Sequence, residues 1–225
     1  MVNASRSMFL GILGHDLRNP LSAAFMAARL MVKNGVPEER QTKLAVHIVD
    51  ATERGIEILD DLLDITRSAF GIDIPLAKHT LDVSHFGAKL VEEMKPLAAG
   101  RSIDLSVMGD ACGEFDAGRL GQVFSNLIGN EVQYSSPDSR ILVSVAGQDS
   151  RIVVSVRNFG TPIPPEKLVS IFQPMTRGGD PAGQSTSLGL GLFIAQKIVT
   201  AHGGTLTVKS TSEAGTIFTA SLPRR

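Results

Sequence analysis

The sequence predicts an α+β protein in which a two-helix hairpin is followed by an α/β sandwich. Apolar residues recur every three or four positions through most of residues 4–69, which is typical of long amphipathic helices. From residue 76 onward, short Val- and Ile-rich segments alternate with helical segments. Phe70-Gly71-Ile72-Asp73-Ile74-Pro75 separates the two patterns, so we expect domains at 1–70 and 71–225.

The first domain is predicted to contain helices at 4–34 and 38–69, separated by the turn Asn34-Gly35-Val36-Pro37. Two helices of similar length joined by a tight turn form an antiparallel hairpin. One hairpin cannot cover its own apolar stripe, so we expect two copies to form a dimeric four-helix bundle. The stripe of the first helix is a heptad-like seam of Leu10, Leu13, Leu17, Pro20, Ala24, Ala27 and Met31.

The second domain is predicted to mix strands and helices, with Asp116 as the N-cap of its central helix. A polar, Gly-, Ser- and Pro-containing stretch at 177–187 is predicted to be a mobile loop. Strands separated by helices indicate an α+β sandwich. The predicted strands are 76–81, 102–107, 112–115, 141–145, 152–156, 204–209 and 216–221, and the helices are 83–99, 116–133, 165–171 and 189–201.

Composition excludes several classes of function. The formal net charge of -1 gives no reason to expect a nucleic acid or an acidic membrane as a partner. No apolar run approaches the roughly 18 residues of a spanning helix, so we expect no membrane contact by this segment. Cys112 is the only cysteine, which favours a reducing, cytoplasmic location, and we expect it to be a small buried residue.

The stretch Phe9-Leu10-Gly11-Ile12-Leu13-Gly14-His15-Asp16-Leu17-Arg18-Asn19-Pro20-Leu21 is unusual for a purely structural helix. It places a histidine beside an acid, five residues before a proline. Proline has no N–H to donate and clashes with the carbonyl four residues back, which here belongs to Asp16. We therefore expect a loosened backbone beside His15, and a role for this histidine in chemistry.

Six segments, in order, resemble the conserved boxes of sensor histidine kinases and cover nearly the whole chain. His15-Asp16-Leu17-Arg18-Asn19-Pro20-Leu21 resembles the phosphoacceptor box. The others resemble the N box, the first glycine box, the F box and two further glycine boxes: Asn126-Leu127-Ile128-Gly129-Asn130, Asn158-Phe159-Gly160-Thr161-Pro162-Ile163-Pro164, Ile171-Phe172-Gln173-Pro174, Leu188-Gly189-Leu190-Gly191-Leu192 and Gly215-Thr216-Ile217-Phe218.

For the hairpin, the resemblance implies that His15 accepts the γ-phosphoryl group of ATP and passes it to a response regulator. Neutral imidazole is nucleophilic near pH 7, which suits this role. Asp16 either orients His15 or takes its proton as base. Asn19 lies one helical turn after His15, where similar kinases orient the water that hydrolyses the phosphorylated regulator.

For the second domain, the resemblance implies an ATP site. Asn126 and Asn130 share a helix face, and Asn130 is preferred over Asn126 as a Mg²⁺ ligand. Tyr134 lines the site. Asn158 stands where the family usually has an aspartate that accepts a hydrogen bond from adenine, and an amide oxygen can still do so. Gly160 lets the backbone approach the base.

The remaining candidates surround the triphosphate and the adenine. Gly189 and Gly191 stand at the start of a predicted helix, whose free N–H groups suit phosphate. Arg177 is the candidate cation for a phosphate contact. By resemblance, the same boxes supply the other nucleotide-site residues, namely Ile163, Phe172, Leu188, Leu190 and Leu192.

Two residues depart from the family pattern. Glu131 occupies a position that is usually small, typically Ala, and Gln133 occupies one where many relatives have a phosphate-contacting lysine. Either Glu131 turns outwards and has no effect, or it enters the nucleotide pocket and weakens ATP binding. Unpaired burial would cost free energy or raise its pKa. We favour the interpretation in which ATP binding is weakened.

Three functions remain open at this point. The favoured one is an ATP- and Mg²⁺-dependent, homodimeric protein-histidine kinase acting on a response regulator receiver domain, with phosphatase activity towards that regulator as a second prediction. The second is a degenerate kinase that serves as a regulator-binding scaffold or phosphatase. The third is an ATPase of the gyrase or chaperone type, against which the hairpin argues.

Overall fold

The computed structural model describes residues 2–32, 37–98, 100–136, 139–174 and 189–225, with side chains from residue 17 onward. The chain forms two compact units that meet in sequence at Phe70 and Gly71. The predicted loop at 177–187, and with it Arg177, lies outside the described residues, as does Leu188.

The first unit confirms the predicted helical hairpin, with α1 (Val2–Met31) packed on α2 (Glu38–Ala69). Pro20 is buried in α1, and Gly55 faces it from α2, where a Cβ atom would lie 4.0 Å from the Pro20 ring. That distance is an ordinary van der Waals contact, so alanine would also fit opposite the proline. Large apolar side chains nevertheless remain exposed on the hairpin: Leu21, Phe25, Met26, Val46, Val49, Ile56, Leu59 and Leu63.

The second unit is built on a five-stranded sheet. Its strands are β2 (Ile103–Met108), β4 (Ile141–Gly147), β5 (Arg151–Asn158), β6 (Thr205–Thr211) and β7 (Gly215–Pro223), in the order β2-β4-β5-β7-β6. β2 and β4 run parallel, and the other neighbours are antiparallel. A separate two-stranded sheet pairs β1 (His79–Asp82) with β3 (Cys112–Phe115). β7 follows all the other strands in sequence but lies between β5 and β6.

Three helices pack on the large sheet: α3 (Val83–Met94), α4 (Ala117–Tyr134) and α5 (Gly191–Ala201). Alternate strand residues are buried, including Val143, Val156 and Phe218, which pair in register across neighbouring strands. The residues between them are half-exposed, as with Ser144 and Ser155, whose hydroxyls lie 2.8 Å apart. The helices cover one face of the sheet and the other face is partly exposed, so the unit is a two-layer α+β sandwich, as predicted.

Several local predictions need correction. The helix predicted over 83–99 ends at Met94 and continues as a 3-10 turn, because Pro96 cannot donate a helical hydrogen bond. The helix predicted over 165–171 consists of two 3-10 turns, Pro165–Lys167 and Ser170–Phe172. The strand predicted at 76–81 is His79–Asp82. Cys112 is exposed rather than buried, because its strand belongs to the small two-stranded sheet.

Candidate functional site

Helix α4 supplies one wall of the candidate site. Asp116 caps its start as predicted, with a carboxylate oxygen that accepts a hydrogen bond from the N–H of Arg119 at 3.0 Å. Leu120, Phe124 and Leu127 are buried on the face that packs into the domain. Asn126 and Asn130 are half-buried beside that face, four residues apart, so both are presented on one side of the helix.

Asn126 lies against the first residue of α5. A Cβ atom at Gly191 would lie 2.8 Å from Oδ1 of Asn126, so only glycine fits there without displacing that amide. Nδ2 of Asn126 is buried and has no hydrogen-bond partner among the described residues. The two predicted site residues, from the N box and the second glycine box, are therefore brought together.

Asn158 ends β5 and is 2% exposed. Its Nδ2 donates a long hydrogen bond of 3.5 Å to the main-chain carbonyl of Glu131 on α4. This contact fixes the orientation of the amide, so Oδ1 points away from the Glu131 carbonyl. Oδ1 is buried and has no partner among the described residues. A buried carbonyl oxygen in that condition is an acceptor that a ligand N–H can satisfy.

Glu131 is fully buried, so the interpretation in which it turns outwards is wrong. Neither carboxyl oxygen has a hydrogen-bond partner in the described part of the chain. Burial raises the pKa of Glu131 to about 8, and the neighbouring Asn130 side chain opposes the shift in part. At neutral pH the group is therefore mostly protonated and uncharged, which removes most of the expected repulsion of a triphosphate.

Close backbone contacts hold the end of the site around Asn158. Gly160 bridges to Ser135 just beyond α4, and a Cβ atom at Gly160 would lie 2.3 Å from the carbonyl oxygen of Tyr134. Gly215 has a φ of +72°, and a Cβ atom there would lie 2.0 Å from the carbonyl oxygen of Asn158. Glycine is required at both positions, and the close contact at Gly215 is with the backbone of Asn158 itself.

A short chain of hydroxyl groups supports the first glycine box. The N–H of Ile163 donates to Oγ of Ser210 at 2.8 Å, and that hydroxyl lies 2.7 Å from Oγ1 of Thr216. Thr216 is buried and pairs in register with Asn158. Neither Thr216 nor Ser210 was among the predicted site residues; the signal for Thr216 was its place beside Gly215 in the last box.

Phe172 anchors the predicted F box to the sheet. Its ring meets Phe218 of β7 edge-to-face, with 6.2 Å between the ring centroids. The contact belongs to the hydrophobic interior rather than to a polar site. It places the 3-10 turn that carries Phe172 beside the sheet and close to α5.

The start of α5 provides free backbone donors. Gly189 adopts a φ of +66°, Leu190 is buried at the N-cap, and no side chain among the described residues caps the helix. The first N–H groups of a helix have no partner within it and lie at the positive end of the helix dipole. Gly191 and Leu192 occupy the first turn, so this helix start can bind phosphate oxygens.

These features form one polar site in the second unit. Five buried side-chain polar atoms have no hydrogen-bond partner among the described residues, and four of them belong to Asn126, Glu131 and Asn158. The site combines an unpaired amide acceptor with an uncapped helix start, which fits a nucleotide. No group of three or more His, Cys, Asp or Glu residues in the described part of the chain could hold a metal by itself.

The hairpin residues stand in the first unit. His15 and Asp16 lie in α1, and their side chains are outside the described residues. Asn19 is exposed on the same helix. Among the described residues, no helix is long and apolar enough to cross a membrane.

Two protein-family models match the chain. The His Kinase A (phospho-acceptor) domain matches residues 5–71. The family of histidine kinase-, DNA gyrase B- and HSP90-like ATPases matches residues 115–225. The first match separates this chain from gyrase- and chaperone-type ATPases, because it covers the predicted phosphoacceptor hairpin.

Curated relatives align over nearly the whole chain. A bacteriophytochrome of Pseudomonas aeruginosa is 30% identical over all of this chain and 30% of its own length. The adaptive-response sensory kinase SasA of Crocosphaera subtropica is 31% identical over 97% of this chain and 59% of its own. The sensor protein VanSC of Enterococcus gallinarum is 31% identical over 94% of this chain and 59% of its own length. The chain thus spans less than two thirds of the length of these relatives.

Solved structures agree on the fold. Full-length ShkA in complex with AMPPNP has a TM-score of 0.69 at 22% identity, covering 96% of this chain and 45% of its own. The Acinetobacter baumannii histidine kinase AdeS has a TM-score of 0.64 at 19% identity, and the match covers 94% of this chain and 98% of the AdeS chain.

The comparisons do not favour a degenerate kinase. The chain belongs to the two-component sensor histidine kinases, a family of protein-histidine phosphotransferases, and forms their ATP-binding catalytic core.

Proposed function

We propose that residues 1–70 form a dimerisation and histidine phosphotransfer domain and that residues 71–225 form the catalytic ATP-binding domain. In this proposal His15 accepts the γ-phosphoryl group of ATP and passes it to an aspartate of a response regulator receiver domain. The observation that best supports nucleotide binding is the buried Oδ1 of Asn158, which has no partner among the described residues, in a domain whose α5 helix begins without a side-chain cap from those residues.

The transfer to His15 needs a neutral imidazole. A ring nitrogen attacks the γ-phosphorus, an N–P bond forms, and the bond from phosphorus to the leaving oxygen of ADP breaks. The proton on the far ring nitrogen is lost, and Asp16 either accepts it or orients the ring. Phosphorylated histidine has a high transfer potential, which suits onward transfer to an aspartate.

The second domain would bind ATP through three groups of residues. Oδ1 of Asn158 accepts a hydrogen bond from the adenine amino group, with Gly160, Ile163 and Tyr134 beside the base. The start of α5, from Gly189 to Leu192, and Arg177 bind phosphate oxygens. Asn130 is the proposed Mg²⁺ ligand, with Asn126 nearby and phosphate oxygens completing the coordination sphere. Bound Mg²⁺ would neutralise charge on the phosphates.

The hairpin supports a homodimer, because it exposes large apolar side chains such as Phe25, Leu59 and Leu63 that a second copy can cover. Asn19 is exposed one turn after His15, which suits a second role in hydrolysing the phosphorylated regulator. Both ATP and the proposed regulator are cytoplasmic molecules, so we place this segment in the cytoplasm.

The test is autophosphorylation of the purified chain with γ-labelled ATP and Mg²⁺. We expect acid-labile label on the wild-type protein and none on His15→Gln. His47→Gln is the matched control, because His47 is an exposed histidine elsewhere on the same hairpin, and it should keep the label. EDTA should abolish labelling, and Asn130→Ala should reduce it strongly.

Other outcomes would contradict the proposal. Phosphate release without labelled protein would indicate an ATPase. Label that persists in His15→Gln would assign the acceptor to another residue. Transfer is tested separately, by adding a receiver domain and following loss of label from the kinase.

A further inference from the structure

Arg101 closes a turn whose side chain reaches the end of helix α4. The N–H of Arg101 donates to the carbonyl oxygen of Ala98 at 3.1 Å, and Gly100 adopts a φ of +87° within that turn. An added Cβ at Gly100 would meet nothing within 4 Å, so this glycine serves its left-handed backbone rather than a close approach. The turn thus fixes the point from which the Arg101 side chain extends.

The guanidinium group donates to main-chain carbonyl groups. Nη2 donates to the carbonyl of Ser135 at 3.1 Å, and Nε donates to that of Ser136 at 3.3 Å. A longer contact of 3.5 Å joins Nη1 to the carbonyl of Ala98. Ser135 is the C-cap of α4, at the negative end of the helix dipole. The fixed fork of donors on arginine suits two adjacent carbonyl groups, which the compact ammonium of lysine cannot match.

Ser135 connects Arg101 to the amide of Asn158. The N–H of Ser135 donates to the carbonyl oxygen of Glu131 at 3.0 Å, and Nδ2 of Asn158 donates to the same oxygen at 3.5 Å. One main-chain carbonyl therefore joins the peptide that Arg101 binds to the amide whose Oδ1 is buried without a partner among the described residues. Displacing the Ser135 peptide would disturb this shared acceptor and, with it, the direction of Oδ1.

A second connection reaches the chain just after Asn158. Ser135 forms an isolated β-bridge with Gly160, and Oγ of Ser136 donates to the carbonyl oxygen of Phe159 at 3.3 Å. The segment that the guanidinium group holds is thus bonded to the two residues that follow Asn158, as well as to its amide. Both connections lead from the same side chain to the same candidate acceptor.

We propose that Arg101 is a positioning residue for base recognition, which holds the end of α4 so that Oδ1 of Asn158 meets the amino group of adenine. This inference rests on the proposed binding of ATP. Arg101 does not touch the nucleotide itself and acts through Ser135 and Ser136. Guanidinium does not lose its proton in proteins, so the contribution of Arg101 is one of geometry at every working pH.

The amino group of adenine distinguishes this role from a role in stability alone. Purine riboside triphosphate has the same ring system, ribose and phosphates as ATP but lacks the amino group, so it cannot donate to Oδ1 of Asn158. A misdirected Oδ1 should weaken the binding of ATP and leave the binding of the analogue unchanged. General loosening of the domain, or loss of a direct contact between Arg101 and the phosphates, should weaken both ligands by the same factor.

The test is isothermal titration of the whole chain with ATP and with purine riboside triphosphate, in Mg²⁺ at pH 7.5. Four proteins are compared: wild type, Arg101→Gln, Arg101→Lys and Arg151→Gln. Gln removes the charge and the fork of donors, whereas Lys keeps the charge. Arg151→Gln is the matched control, because Arg151 is an exposed arginine whose Nη1 lies 3.4 Å from Oγ of Ser221. Circular dichroism and thermal unfolding check that each protein is folded at the temperature of the titration.

For the wild type and Arg151→Gln, we expect ATP to bind about tenfold more tightly than the analogue, the equivalent of one hydrogen bond. In Arg101→Gln this preference should fall to about twofold, because ATP binds more weakly while the Kd for the analogue stays close to that of the wild type. Arg101→Lys should lie between the wild type and Arg101→Gln, since an ammonium group can still reach one of the carbonyls.

Two results would overturn the inference. One is an Arg101→Gln protein that keeps the wild-type preference, because equal weakening of both ligands assigns Arg101 to stability or to the phosphates. The other is an equal loss of preference in Arg151→Gln, which would make it a general effect of charge. The wild type tests the proposed function separately. If it binds neither ligand, that function fails; if it binds both equally, the base contact of Asn158 fails and so does the role of Arg101.

Discussion

Nε2 of His202 accepts a hydrogen bond from the backbone N–H of Asp116 at 3.2 Å. His202 ends α5 and Asp116 caps α4, so one imidazole ring joins the end of one helix to the start of the other. Nδ1 lies 2.9 Å from the carbonyl oxygen of Ile198. Because Nε2 accepts, Nδ1 must carry the proton and donate it to that carbonyl.

This arrangement makes the stability of the second unit depend on pH. Burial lowers the pKa of His202, since the ring is buried in its neutral form. The unfolded state binds the proton more readily, so this contribution is complete above the unfolded pKa and is lost as pH falls through and below it. We expect His202→Gln to cost about 1–3 kcal/mol at pH 7.5.

The measurement is urea unfolding at pH 7.5 and pH 5. The difference in unfolding free energy between wild type and His202→Gln should shrink at the lower pH. His47→Gln, on the exposed surface of α2, should follow the wild type at both values. A difference that stays constant with pH would show that the neutral ring is not the stabilising form.

Gly215→Ala should be strongly destabilising. The φ of Gly215 is +72°, and an added Cβ would lie 2.0 Å from the carbonyl oxygen of Asn158, a backbone atom that cannot move alone. Gly71→Ala is the control, because Gly71 has a similar φ of +69° but nothing within 4 Å of the added atom. The left-handed conformation alone costs about 1–2 kcal/mol. Thermal unfolding should show a clearly larger loss for Gly215→Ala, and equal losses would contradict the contact.

Gly191→Ala should weaken nucleotide binding with little effect on stability. Its Cβ would lie 2.8 Å from Oδ1 of Asn126, the mobile end of a side chain, so the amide can turn away. That movement would disturb the proposed phosphate end of the site, and we expect about tenfold weaker ATP binding, the equivalent of one lost hydrogen bond.

Gly129→Ala provides the comparison for that variant. Gly129 lies inside α4, and nothing lies within 4 Å of an added Cβ. Alanine there should raise the unfolding free energy by up to about 1 kcal/mol through helix propensity and leave ATP binding unchanged. Titration calorimetry and thermal unfolding of both variants separate the two effects. Equal ATP affinity in the two variants would refute the role of Asn126.

Leu59→Glu should weaken the proposed dimer. Leu59 is 44% exposed on α2, and a charge at an apolar interface would have to be buried unpaired. We expect at least about a tenfold increase in the dimer dissociation constant, measured by analytical ultracentrifugation. Val107→Glu places the same charge on an exposed apolar residue of β2 and should not change it. A Leu59→Glu protein that dimerises like the wild type would show that this side chain lies outside the interface.

The sequence was sufficient to predict a helix where a local signal marks its start or its end. α2 begins and ends where predicted, because Pro37 precedes it and the apolar period stops at Phe70. The N-cap at Asp116 was predicted correctly because an aspartate directly precedes the helical pattern. The short segment at 165–171 was assigned wrongly, since seven residues do not distinguish an α-helix from two 3-10 turns.

The candidate site depends on contacts between residues far apart in sequence. The boxes indicated Asn126, Asn158 and Gly191 separately, but not that Gly191 touches the Asn126 amide. The burial of Glu131 could not be decided from sequence, because both an outward and an inward side chain fit the helical pattern. Cys112 was misjudged because residue type alone does not tell that its strand lies in a small peripheral sheet.

The position of β7 constrains how this domain can form during translation. β7 lies between β5 and β6, yet it is synthesised after both. Among the described strands β6 pairs only with β7, so β6 stays unpaired until residues 215–223 leave the ribosome. A nascent chain stalled before that point would expose two unsatisfied strand edges, which makes it a substrate for chaperones and proteases.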